Sequence, residues 1–143
     1  MPFAQSAAQS ALSHVIDDQR TATKQMMHDF LTHFHLAAER LQNAMRAPAL
    51  AHELAQWRPL SLQSHMAIYS ASVRTGYEQL SEDFRTLFEE LAHELDTKGT
   101  AILVAIRRQQ RRPTLDELSF AELCTRAGQG LADCLRRAEL VLH

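Results

Sequence analysis

The stretch that decides the fold is residues 47–95, APALAHELAQWRPLSLQSHMAIYSASVRTGYEQLSEDFRTLFEELAHEL. Pro48 and Pro59 stand close together at its start, and from Leu60 to Leu95 there is no proline. Over that interval large apolar side chains return every three or four positions: Leu62, Met66, Tyr69, Val73, Tyr77, Leu80, Phe84, Phe88 beside Leu87, Leu91 and Leu95. This period predicts one long amphipathic helix over 61–97. Such a helix would be about 50 Å long, more than a domain of this size needs to close its core. Its stripe must therefore meet another long helix, a second chain or an external surface. Leu62, Met66, Tyr69, Val73, Tyr77, Leu80, Phe84, Phe88 and Leu91 are the candidate surface-binding and self-association residues.

Upstream, Ala47 precedes a proline and is biased out of the helical region, so a first helix should end near Arg46. Pro48 suits the first turn of a short corner helix over 48–57, which Arg58-Pro59 closes by the same rule. The first helix runs from about residue 4 to 46, with Leu12, Val15, Met26, Phe30, Phe34, Leu41 and Met45 on one face. Its beginning is rich in Ala, Gln and Ser, and fraying is expected over residues 1–10. Downstream, Lys98-Gly99 predicts a break before a helix over 99–112, where Ile102, Val104 and Ile106 leave a short strand as the alternative. Arg107, Arg108, Arg111 and Arg112 close that segment and complement its macrodipole. Thr114-Leu-Asp-Glu117 reads as a capping box for a last helix over 115–142, with Ser119-Phe-Ala-Glu122 as a second candidate.

The 143 residues are a single-domain length, and only four glycines and four prolines interrupt a composition dominated by good helix formers. The expected fold class is all-α, an elongated antiparallel bundle of long amphipathic helices forming one domain over 1–143. With 17 acidic and 15 basic residues the net charge is −2, which gives no electrostatic case for nucleic acid. Cys124 and Cys134, ten positions apart on one helix, cannot reach each other and read as small core residues of a reducing compartment. No signal-peptide pattern and no transmembrane run is present, so a cytoplasmic location is expected.

Candidate chemistry is sparse. His28, His33, His35 and Glu39 have some helical ligand spacing, but two turns separate His28 from His35, too far for one ion, and no metal site is expected. Glu90-Leu-Ala-His93 has the carboxylate–imidazole spacing of a di-iron bundle, yet no second such pair exists to complete the site. Nucleophile elbows and nucleotide loops are absent, so no catalytic residue and no cofactor is assigned. Leu91-Ala-His93-Glu94-Leu95-Asp-Thr97 looks like the phosphoacceptor box of sensor histidine kinases, with Asp96 where that family has a basic residue and Lys98 where it has proline. A histidine phosphotransfer module using His93 is therefore the alternative function, followed by a helical scaffold of unspecified partner.

The corner and the segment after it resemble the phasins, helical proteins that coat polyhydroxyalkanoate storage granules in bacteria. The likeness lies in Ala47-Pro48-Ala49-Leu50-Ala51-His52-Glu53-Leu54, in Pro59 followed by Tyr69, in Tyr77-Glu78-Gln79-Leu80, and in Leu36 to Met45 as the end of a first helix. His52, Trp57, the histidines before the corner and everything after Leu95 depart from the family pattern. The resemblance implies a non-enzymatic, granule-associated, oligomeric protein that binds a hydrophobic polyester surface. Self-association is expected through the 61–97 stripe, with Val73 and Leu80 at the interface.

Overall fold

The structure is a computed structural model that describes residues 2–143, with side chains from residue 9 onward. Of the fraying expected over 1–10, Met1 and the side chains of residues 2–8 lie outside the described residues. The chain is all-helical, with no strand among the described residues. Helix α1 spans Pro2–Arg46, and a single 3₁₀ turn over Pro48–Leu50 leads into α2, Ala51–Gln56. Short helices α3 (Leu62–Met66) and α4 (Ala71–Glu78) follow, then α5 (Glu82–Arg111) and α6 (Glu117–Leu142).

The single helix expected over 61–97 is three helices. Ser61, Ser70 and Ser81 each leave the helical region, with ψ of 150°, 158° and 147°, and each side chain accepts the amide of the residue three positions on. A serine in this conformation satisfies one of the orphan amides that begin a helix, so each starts a new one. Glu82 and Asp83 in the first turn of α5 add favourable charge at its positive end. Conversely, α5 continues unbroken through Lys98-Gly99, and Ile102, Val104 and Ile106 lie within it. Gly99 serves packing: a Cβ there would lie 2.7 Å from Cη2 of Trp57 and 3.3 Å from Cε1 of Phe34. The last helix begins at Glu117, and its cap is Asp116, whose carboxylate accepts the Ser119 amide at 2.7 Å. Thr114 does not cap it and bonds Gln109 instead.

Pairs of residues set the chain directions. Past the corner, Arg58, His65 and Val73 meet His33, Met26 and Thr23, so α2 to α4 return along α1. Helix α6 also runs against α1: His35 bonds Glu139 at 2.6 Å, and Thr125 donates to the Met45 sulfur at 2.7 Å. It opposes α5 as well, through Arg137 on Glu94 at 2.9 Å and Gly130 beside Lys98. One continuous core results. Phe30 and Phe34 meet edge to face at 5.2 Å, Phe88 closes on Phe30 at 6.2 Å, and Leu41, Leu95, Leu131 and Leu135 are buried around them. Each such side chain contributes about 1.5–3 kcal/mol by leaving water. Trp57 plugs the corner, donating its indole N–H to His33 O at 3.0 Å and stacking on the His33 ring.

Candidate functional site

The stripe singled out in the sequence is distributed by the two serine breaks. Leu62, Val73, Tyr77, Phe88 and Leu91 are buried in the core, while Met66, Tyr69, Leu80 and Phe84 are half-buried and packed against it. Two of these aromatics anchor polar groups at the core margin. The Tyr69 hydroxyl donates to Asp29 at 2.7 Å, and burial followed by that carboxylate pushes its pKa up to about 12. In return the bond from Tyr69, with one from Gln25, holds Asp29 below the ordinary carboxylate value. The Tyr77 hydroxyl donates to Glu89 at 3.0 Å, and its pKa is raised mainly by burial.

A cleft of about 520 Å³ opens between α3, α4 and α5, lined by Leu62, Met66, Tyr77, Glu89, His93 and Asp96 among others. Glu89, His93 and Asp96 follow one another on one face of α5 at helical spacing, and the His93 ring is exposed. Arg85 also lines the cleft, and its Nε–H donates to Leu80 O at 3.2 Å, which ties the turn. His93 is thus exposed at the rim of the cleft, and Ser61, which also lines it, has its hydroxyl engaged with Ser64 as the cap of α3.

The histidines before the corner are dispersed by their contacts. His33 bonds Arg58 O at 2.5 Å, His35 bonds Glu139, and His28 faces the His143 ring. No group of three or more His, Cys, Asp or Glu that could hold a metal ion is found among the described residues. Cys124 and Cys134 are unbridged and buried, which raises both thiol pKa values, Cys134 to about 12. His65, not a candidate beforehand, is buried and bonds Met26 O at 2.9 Å. Its spacing, three residues after Leu62 and four before Tyr69, puts it on the stripe side of α3 and was the signal available.

The surface that sequence reasoning underrated lies on α1. Leu12, Val15 and Ile16 are 62%, 65% and 44% exposed, and they continue the row formed by Gln19, Thr23 and Met26. That row enters the core only at Thr23, whose hydroxyl donates to Val73 O at 3.2 Å. Just above it Gln19 donates to Ser72 O at 2.9 Å. The close fit of α4 on this point explains Gly76, where a Cβ would stand 2.2 Å from Thr23 Oγ1. Residues 9–18 lie beyond the last contact with α4 and are exposed throughout. No described helix is long and apolar enough to cross a membrane. Set against family models, curated proteins and solved structures, the chain finds no match in any of the three.

Proposed function

We propose that the chain is a non-enzymatic, phasin-like protein that binds the surface of polyhydroxyalkanoate granules through an amphipathic helix and associates with itself, as an elongated antiparallel bundle. The observation that carries this reading is the exposed apolar row Leu12, Val15 and Ile16 on a stretch of α1 that the bundle leaves uncovered. A helix with one apolar face lies in the plane of an apolar surface, and each large side chain moved out of water contributes about 1.5–3 kcal/mol. Contact through this arm leaves the core intact. Contact through Leu62, Val73, Tyr77, Phe88 and Leu91 would require the bundle to open. In the free protein the same arm meets a second copy, so in this scheme Val73 in the core and Leu80 packed against it serve the bundle rather than the oligomer interface.

Co-sedimentation with polyhydroxybutyrate granules and with neutral liposomes, at low and high salt, tests the reading. Binding to granules at both ionic strengths is expected, because the contact is apolar. Loss of binding in Leu12→Glu/Val15→Glu/Ile16→Glu with helicity unchanged supports the arm. No association of the wild-type chain at either salt concentration removes the granule reading and leaves a scaffold for another partner.

A second reading, histidine phosphotransfer, is favoured by one observation: His93 is exposed on the long α5, at the rim of an open cleft. The two readings make opposite demands. Acid-labile label at His93 after incubation with phosphodonors, abolished by His93→Ala, would select phosphotransfer. An unlabelled protein whose His93→Ala variant still binds granules would select the coat.

A further inference from the structure

Charge is not spread evenly along this molecule. From Thr97 to Leu115 the chain contains Lys98, Arg107, Arg108, Arg111 and Arg112 and no acid. Upstream on the same helix stand Glu82, Asp83, Glu89, Glu90, Glu94 and Asp96 with Arg85 as the one base among them, and Glu94 is paired with Arg137 of α6 and with Lys98. Acids early and bases late complement a helix dipole, but that effect is confined to the first and last turns. It covers Arg108 and Arg111 in the last turn of α5 but not Arg112 or the exposed link to α6.

Residues 110–118 are exposed throughout, and they include Pro113, Leu115 and Leu118, the last 84% exposed. The link is nevertheless held in place by one side chain. Gln109 donates from Nε2 to Leu115 O at 3.0 Å, and its Oε1 accepts the amides of Thr114 and Leu115 at 3.2 and 3.4 Å. Arg107 is occupied with Ala55 O, whereas the guanidinium groups of Arg108, Arg111 and Arg112 have no hydrogen-bond acceptor or carboxylate partner among the described residues. The corner after α1 packs beside this link, since Pro48 and Ala51 line one shallow groove with Pro113, Leu115 and Phe120. Arg46, also exposed and without a carboxylate partner among the described residues, therefore belongs to the same end. Two acids are near: Asp116 spends its carboxylate on the Ser119 amide, and Glu117 opens α6.

We infer that this end of the bundle is a docking tip for an anionic phospholipid bilayer, with Arg108, Arg111 and Arg112 on the headgroup phosphates and carboxylates and Leu118 inserted between the headgroups. Charge complementarity selects the occupant, and the exposed leucine distinguishes a lipid interface from a purely ionic partner. Guanidinium forks match phosphate oxygens, an apolar side chain held in water gains by entering the acyl boundary, and the pinned loop is already ordered before binding. The tip lies apart from the α1 arm and does not depend on the granule reading. Its binding weakens with salt, whereas binding through the arm does not.

The test is flotation of the full chain carrying Leu12→Glu/Val15→Glu/Ile16→Glu, which silences the α1 arm, with phosphatidylcholine vesicles and with phosphatidylcholine–phosphatidylserine vesicles, at low and high salt. Binding to the phosphatidylserine vesicles alone, lost at high salt, is expected. Each of R108Q, R111Q and R112Q should weaken it about fivefold and the triple variant on the order of a hundredfold. Leu118→Ser should weaken it about tenfold or more. The triple Arg→Lys variant should keep most of the binding, which separates lost charge from lost fold. Equal binding to both vesicle types, no binding at low salt, or a triple glutamine variant that binds like its parent would each overturn the proposal. Salt-sensitive self-association with no vesicle binding would also overturn it, and would assign the arginines to the acidic half of α5 in a second copy.

Discussion

Helix α1 has two halves with the same apolar period and opposite fates. Downstream of Thr23, Met26, Phe30, Phe34 and Leu41 are sealed against α4, α5 and α6. Upstream, Leu12, Val15 and Ile16 occupy the same row and stand in water. Periodicity identifies which face of a helix is apolar but not what covers it. Coverage is set by the neighbour that packs there: α4 reaches α1 at Gln19, and residues 9–18 beyond that contact are exposed. The row of α1 runs past α4, and that excess is what the proposed function uses.

The sharpest way to break the comparison is to truncate one residue in each half. Phe34→Ala should lower unfolding stability by about 3–5 kcal/mol, because the ring is fully buried between Phe30 and Trp57. Leu12→Ala should stay within about 0.5 kcal/mol in the same denaturant titration. Similar losses at the two sites would mean that the arm is packed.

Gly99→Ala ranks next. Alanine favours a helix by about 1 kcal/mol, but its methyl group would press on an indole pinned by His33, so a net loss of about 1–2 kcal/mol in Tm-derived stability is expected. A stabilised variant would show that Trp57 yields. Ser81→Ala removes the cap that begins α5 and should cost about 1 kcal/mol by urea unfolding. A neutral result would mean that the break does not depend on the serine.

The smallest effect concerns pH. The bond from Arg137 holds Glu94 below its ordinary 4.5, and the bond from Tyr69 holds Asp29 below 3.8. Carboxylates with depressed folded values contribute stability that is present above those ordinary values and is lost as pH falls through the folded ones. Thermal unfolding should therefore show Tm declining below about pH 4.5, less steeply in Glu94→Gln. An unchanged acid slope in that variant would remove Glu94 from the account.

Much of the fold was legible in the residues. Few glycines and prolines with sustained three-or-four spacing indicated helices throughout, and Ala47-Pro48 and Arg58-Pro59 marked the corner. The breaks at Ser70 and Ser81 were hidden because each turn spans about as much sequence as one helical step. Tyr69 to Val73 and Leu80 to Phe84 are both intervals of four, so a periodic count passes over the caps without losing register. Ser81-Glu82-Asp83, a cap residue followed by two acids, was the available helix-start signal. Gly99 misled in the other direction, since what requires it is Trp57, distant in sequence. The site was less legible than the fold. Exposure of the α1 arm follows from where α4 packs, and no local pattern within residues 9–18 encodes it.

Amide hydrogen exchange of the free chain and of the chain bound to polyhydroxybutyrate granules tests the central claim most directly. The account predicts fast exchange over residues 9–18 in solution at concentrations dilute enough to keep the chain monomeric, and marked protection of that stretch on the granule, with residues 62–91 protected equally in both states. Loss of protection over 62–91 on binding, with 9–18 unchanged, would contradict it and show that the bundle opens to present its core stripe.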